Sequence, residues 1–226
     1  MMSGQGLIFQ IYVTLRQEFG QQNWWPAETP FEVMVGAVLT QNTNWQNAEE
    51  AIKNLRGANL LDPTALAKTD PEKIQELIKP AGYYRQKAAR LKRLTDWVMK
   101  RFVPGDTEFG AIQWEPADVL REELLAINGI GPETADSILL YALEKPVFVI
   151  DAYTVRILGR HGLITGEAAY QEVQEEFQYR LPPDVEIYKD FHAQLVELGK
   201  RFCKKSSPKC EECPVRPLLG LPEIEF

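Results

Sequence analysis

The segment Arg121–Leu139, REELLAINGIGPETADSIL, constrains this chain more than any other stretch of it. An apolar-periodic helix runs to Ile127 and gives way to Asn128-Gly129-Ile130-Gly131, and a second helix begins near Pro132. Glycines at 129 and 131 permit positive φ and close approach of another backbone. Pro132 stands at the first helical position, where its missing N–H would have lacked a partner in any case. The hairpin amides and those of the new helix then point outward together, which makes an anion site suited to phosphate. Contacts of that kind position a protein on DNA without reading its sequence. A bare Gly-x-Gly would be an ordinary tight turn. The full spacing, Leu-x-x-Ile-x-Gly-Ile-Gly-x-x-Thr-Ala-Asp before an apolar helix, is far more specific. Asn128, Gly129, Ile130, Gly131 and Thr134 are therefore candidate DNA-backbone contacts.

Helical periodicity governs the rest of the chain as well. Leu7, Ile8, Ile11, Tyr12, Leu15 and Phe19 share one helical face. Phe31–Leu39, Ala48–Leu55, Gln86–Phe102 and Pro116–Ala126 read as further helices, and Asp70–Ile78 opens with an Asp cap followed by proline. No stretch alternates between turn dipeptides in the manner of a hairpin sheet. Val147–Ile150 is β-branched but short and leads straight into a helix. The expectation is an all-α chain of about ten helices with short loops.

The net charge of −7 argues against a protein that coats nucleic acid, because neutralising phosphates needs surplus Lys and Arg. The positive charge is nonetheless clustered, in Lys79, Arg85, Lys87, Arg90, Lys92 and Arg93, and again in Lys200, Arg201, Lys204, Lys205 and Lys209. Solvated helix faces or one DNA-facing surface would both account for this. No apolar run reaches the length of a membrane span and Met1–Gln10 has no secretory signature. Three cysteines suit a reducing, cytoplasmic setting.

Asp151 follows Pro146-Val147-Phe148-Val149-Ile150 and precedes Ala152-Tyr153-Thr154-Val155-Arg156-Ile157. An Asp in that place is the usual helix N-cap. Capping and catalysis do not compete, since amides donating to the carboxylate hold it ionised. An ionised carboxylate can stabilise the cationic sugar formed as a glycosidic bond breaks, or activate the attacking water.

Hairpin, apolar helix, Val-x-Val-Ile-Asp and the cysteine cluster, in that order, resemble the helix-hairpin-helix–Gly/Pro–Asp superfamily of DNA glycosylases, and within it the endonuclease III branch. The similarity spans residues 7 to 217. It implies a two-lobed all-α fold with the active site in the interlobe cleft: a helical barrel at residues 29–140, and a second lobe from residues 1–28 and 141–226. It implies Asp151 as the catalytic residue. The partner would be double-stranded DNA with a damaged base, bound by a monomer, with no membrane.

Two residues depart from the endonuclease III pattern. The hairpin lysine that forms a Schiff base with the sugar is replaced by Glu133, and a carboxylate cannot form an imine. The expectation is a monofunctional glycosylase that uses water and leaves an abasic site. Cys203-x6-Cys210-x2-Cys213 matches the first three ligands of the family's [4Fe–4S] loop, but Leu219 occupies the fourth position. Three readings stand: a degenerate loop without metal, a [4Fe–4S] cluster with an incomplete set of thiolates, or zinc completed by a histidine. His192 is the histidine expected near the cysteines.

Asn23-Trp24-Trp25-Pro26 and Leu39-Thr40-Gln41-Asn42-Thr43-Asn44-Trp45 concentrate three tryptophans. Core packing would explain each singly, and together they suggest a slot for a flipped base. A cationic base gains about 0.5–2 kcal/mol from such a slot, and N-alkylated purines carry that charge. The chain also resembles the 3-methyladenine glycosylase subgroup. That resemblance implies Trp24, Trp25, Pro26, Trp45 and Glu133 as base-pocket residues, and Gln41 and Tyr83 as plugs for the gap left by the flipped nucleotide. An adenine-mismatch glycosylase is disfavoured, because its protonating Glu would fall at Ala37. The rivals are a bifunctional glycosylase/lyase on oxidised pyrimidines and a non-catalytic module that binds DNA damage.

Overall fold

The computed structural model describes residues 4–22, 24–101, 109, 112, 114–165 and 168–221. Among them are twelve α-helices and no strand, so the expected all-α class holds. The chain divides into two compact units, one formed by Trp25–Lys145 and the other by Met1–Trp24 together with Pro146–Phe226.

The first unit is built round α2, Pro30–Leu39. Its sequence PFEVMVGAVL has no polar face, and every residue from Phe31 to Leu39 is buried, as an all-round apolar helix requires. Thr29 caps it by accepting from the Glu32 amide at 3.2 Å. The one acid on it, Glu32, is buried and ion-paired with Arg56. Around α2 pack α3 (Trp45–Gly57) and α6 (Tyr84–Met99), with α4 (Pro63–Lys68) and α5 (Pro71–Leu77) laid against α6. Lys87 of α6 is fully buried, and its ammonium donates to the carbonyls of Leu39 and Ala81 at 2.8 Å and to the Thr43 hydroxyl at 2.5 Å. It therefore ties the chain segments carrying Gln41 and Tyr83 to one point. Burial, with Arg90 nearby, pushes its pKa down to about 8.

The hairpin joins α7 (Ala117–Ala126) to α8 (Pro132–Ser137). Arg121 of α7 clamps Asp136 of α8 in two parallel bonds, 2.7 Å and 3.1 Å, and Asp136 is 0% exposed. Such a fork adds geometric specificity to charge. From Ile138 to Ala142 the chain continues as a wider π-turn with every side chain buried, a local change that 3.6-residue periodicity does not foresee.

In the second unit α1 (Gly4–Phe19) packs on α11 (Val185–Arg201), with Tyr12 donating to Asp190 at 3.0 Å. Phe148, Phe177, Tyr188 and Phe191 form an aromatic core at centroid separations of 4.5–5.7 Å. Val147–Ile150 is buried and joins neither a helix nor a strand. Side chains meet its backbone instead: Phe148 N–H donates to Gln178 and its carbonyl accepts from Gln174, while Ile150 N–H donates to the Tyr170 hydroxyl. The acceptors and donors come from α10 (Tyr170–Arg180), so this helix fixes the approach to Asp151. The helix α9, Ala152–Arg160, starts there, and the short α12, Arg216–Leu219, ends the described structure. Among the described residues no helix is long and apolar enough to cross a membrane.

Candidate functional site

Asp151 is the N-cap of α9, as its position before that helix predicts. Its Oδ1 accepts from the Thr154 amide at 2.7 Å and the Thr154 hydroxyl at 2.8 Å. Its other oxygen faces His192 Nε2 of α11 at 3.6 Å, an ion-pair separation rather than a hydrogen bond. Burial alone would push this carboxyl up. His192 and the two Thr154 donors outweigh it, and the pKa lies below the ordinary carboxylate value. The result is a desolvated, ionised carboxylate, held rigid at a helix start.

His192 corrects an expectation. It belongs to the Asp151 pair and does not line the cysteine cavity. Sequence reasoning gave Asp151 no partner from α11, because the two residues are brought together only by the packing of α9 on α11.

In the other unit, Gly129 has φ +94° and so needs the conformational freedom of glycine. A Cβ there would also meet the Arg90 side chain at 2.5 Å. Gly131 differs from the expectation of positive φ: it is extended, at φ −96° and ψ 177°, and caps α8. A Cβ built on it would meet nothing within 4 Å, so the hairpin is open on that side. Asn128 is exposed with its carbonyl accepting from Arg93 at 3.3 Å, and Ile130 is buried. Thr134 is buried and accepts from Gln41 Nε2 at 2.9 Å. The same Gln41 amide donates to the Gly129 carbonyl at 3.1 Å, and Arg90 donates to Gln41 Oε1 at 2.6 Å. Gln41 is thus tied to the hairpin through Gly129 and Thr134, and to α6 through Arg90. Tyr83 is 67% exposed at φ 44°, an aromatic ring presented on a left-handed backbone just before α6. Glu133 is exposed in the first turn of α8.

Trp25 and Trp45 meet edge to face at 6.1 Å, and Trp25 lies 5.0 Å from Tyr141. Gly36 lets Trp25 lie on α2, since a Cβ there would be 3.3 Å from the indole. Tyr141, on the π-turn, is the aromatic that the tryptophan pattern alone missed. Trp24 belongs to the other unit, where the Lys200 ammonium stands 4.4 Å from its ring centroid. Pro26 is exposed.

Cys203, Cys210 and Cys213 line one cavity together with Arg160 and His161. The buried Arg160 guanidinium donates to Cys203 Sγ at 3.2 Å and to the Lys204 carbonyl at 2.6 Å. Burial pushes the Cys213 thiol up; the Val215 and Arg216 amides oppose this and the neighbouring Cys203 and Cys210 reinforce it. Burial also lowers the pKa of His161; the Leu219 carbonyl beside the ring opposes this and Arg160 reinforces it. Among the described residues no three His, Cys, Asp or Glu side chains converge as ligands of a single ion. By type the donors suit an iron–sulfur cluster, since three thiols and the His161 imidazole line one cavity. Three sulfurs are present, Cys203 Sγ accepts from the Arg160 guanidinium, and His161 Nδ1 is buried without a hydrogen-bond partner.

The chain matches the family model of the HhH-GPD superfamily of base-excision DNA repair proteins over residues 35–183. A protein of Methanocaldococcus jannaschii with the provisional name DNA repair glycosylase is 50% identical over 210 residues, 93% of this chain and 94% of that one. Endonuclease III of Thermotoga maritima is 33% identical over 187 residues, 81% of this chain and 79% of that one. The solved H. pylori 3-methyladenine DNA glycosylase (MagIII), bound to 1,N6-ethenoadenine, aligns with a TM-score of 0.73 at 30% identity, over 86% of this chain and 97% of that one. With its all-helical fold, hairpin and capped aspartate, the chain belongs to the HhH-GPD superfamily and is a DNA glycosylase of that superfamily.

Proposed function

We propose that this glycosylase is monofunctional and removes alkylated, cationic purines such as 3-methyladenine from double-stranded DNA, acting as a monomer. The observation that carries the reading is the combination of a buried, ionised Asp151 with Glu133 at the hairpin position of the Schiff-base lysine. A cationic base leaves as a neutral molecule, taking the electron pair of the N-glycosidic bond. No general acid is then needed. Positive charge develops on the sugar, and a carboxylate that is already desolvated stabilises it without reorganising. Water adds hydroxide at the anomeric carbon, and its proton goes to Asp151 or to solvent. Without a lysine at 133 no covalent sugar adduct forms there and the strand stays intact.

The Trp25, Trp45 and Tyr141 group supports the substrate class, because a cluster of aromatic rings favours a flipped base that carries charge. Tyr83, exposed on a left-handed backbone, suits a plug for the vacated duplex site. The open side of the hairpin at Gly131 suits a phosphate backbone. Gln41 takes part by bracing Gly129 and Thr134, and leaves that brace to act as a second plug. The bound base in the H. pylori relative is itself a modified adenine.

The test is a panel of oligonucleotide duplexes carrying alkylated purines, oxidised pyrimidines or deaminated bases, treated with and without alkali. The expected result is release of alkylated purines, with strand cleavage only after alkali. Cleavage without alkali, with borohydride trapping of the protein on DNA, would overturn the monofunctional reading. Release of oxidised pyrimidines alone would overturn the substrate class.

A further inference from the structure

We propose that His161 is the fourth ligand of a [4Fe–4S] cluster whose other ligands are Cys203, Cys210 and Cys213. The family's fourth cysteine position is Leu219, which cannot ligate iron. The His161 ring stands against the backbone carbonyl of that same Leu219. The imidazole therefore occupies the neighbourhood that the missing thiolate would have filled, and it lines the same cavity as all three cysteines. Its Nδ1 is buried with no hydrogen-bond partner, which is costly for a polar atom unless something absent from the chain meets it. One further contact suits a negatively charged sulfur: the buried Arg160 guanidinium donates to Cys203 Sγ at 3.2 Å. Hydrogen bonds to cluster sulfurs are a recognised means of setting its stability and potential.

The placement also has a mechanical consequence. His161 is the C-cap of α9 and Asp151 is its N-cap. At about 1.5 Å per residue, the helix between them is roughly 13 Å long. A cluster bound at one end would anchor the helix that aims the carboxylate at the other. Replacing one thiolate by a neutral nitrogen also makes the cluster one unit less negative. The same exchange raises the potential of histidine-ligated [2Fe–2S] centres above that of all-cysteine ones.

The test uses full-length protein purified without oxygen or reconstituted with iron and sulfide, and it reads the metal centre rather than base excision. The expected result is about four irons per chain, a visible charge-transfer band, and nitrogen hyperfine coupling in the reduced cluster. With 15N-histidine that coupling should change. His161→Cys should keep the iron content, lose the nitrogen coupling and lower the reduction potential. His161→Leu should lose most of the iron, or at least one iron per cluster. Three results would overturn the assignment: a cluster without nitrogen coupling, a His161→Leu variant with wild-type iron and spectrum, or protein that holds only zinc or no metal after reconstitution.

Discussion

Asp151 performs two tasks that two substitutions can separate. As N-cap it accepts the Thr154 amide at 2.7 Å and the Thr154 hydroxyl at 2.8 Å through one oxygen. As the proposed catalytic group it supplies negative charge. Asp151→Asn keeps an oxygen in the capping position, where Asn and Asp are about equal, but removes the charge. Asp151→Ala removes both. The cap is worth about 1 kcal/mol, and the second bond about 1 kcal/mol more. Both variants equally lose the attraction to His192 at 3.6 Å, so that contribution cancels in the comparison. Asp151→Ala should therefore be about 2 kcal/mol less stable than Asp151→Asn. At about 2–4 °C per kcal/mol for a chain of this size, the Tm difference is roughly 4–8 °C. Single-turnover excision of a 3-methyladenine duplex should fall by about 10²–10⁴ in both, with DNA affinity retained. Two results would refute the reasoning: Asp151→Asn within tenfold of wild-type activity, or the two variants melting together.

The pH dependence follows from the direction of the Asp151 shift. A carboxyl whose pKa is lowered by folding adds stability that is fully present above the unfolded value of about 3.9 and is lost as pH falls through the folded value. A pH–rate profile should therefore show no acid limb from this group above about pH 4, and a limb from Asp151 centred near pH 6 would contradict the geometry. Arg121→Met should be destabilising by about 2–3 kcal/mol, because it removes two charge-assisted bonds to a fully buried carboxyl. Denaturant unfolding measures it, and a loss under 1 kcal/mol would mean that Asp136 is satisfied by other groups. Trp45→Ala should lower excision of cationic lesions more than it lowers DNA affinity, since it removes one wall of the Trp25 pair. Equal losses in both assays would make Trp45 a packing residue only.

The features legible in the sequence are those set by neighbours a few residues apart. The hairpin between α7 and α8, the cap at Asp151 and the all-apolar α2 all rest on local spacing, since a turn or cap is determined by residues within one helical turn of it. Glu133 could likewise be read as the missing lysine from its place in a short motif. Gly131 escaped because two glycines in a hairpin look alike in sequence. Only the backbone path shows that Gly129 needs the positive φ and Gly131 the open space.

The two histidines show where sequence reading ends. The sequence holds only two, and spacing suggested that His192 would stand with the cysteines. The folded chain exchanges them: His192 meets Asp151, and His161 lies among Cys203, Cys210 and Cys213. Both pairings join residues about 40 or more positions apart, so no local propensity encodes either. They are decided by how α9 lies on α11 and how the cysteine loop closes over the end of α9, where close packing allows few alternative arrangements. The sequence by itself determined the all-α class, the hairpin and the chemical type of each candidate group. Tertiary packing alone decided which groups stand together: Asp151 with His192, Gln41 with Gly129 and Thr134, and a histidine where the fourth sulfur is missing.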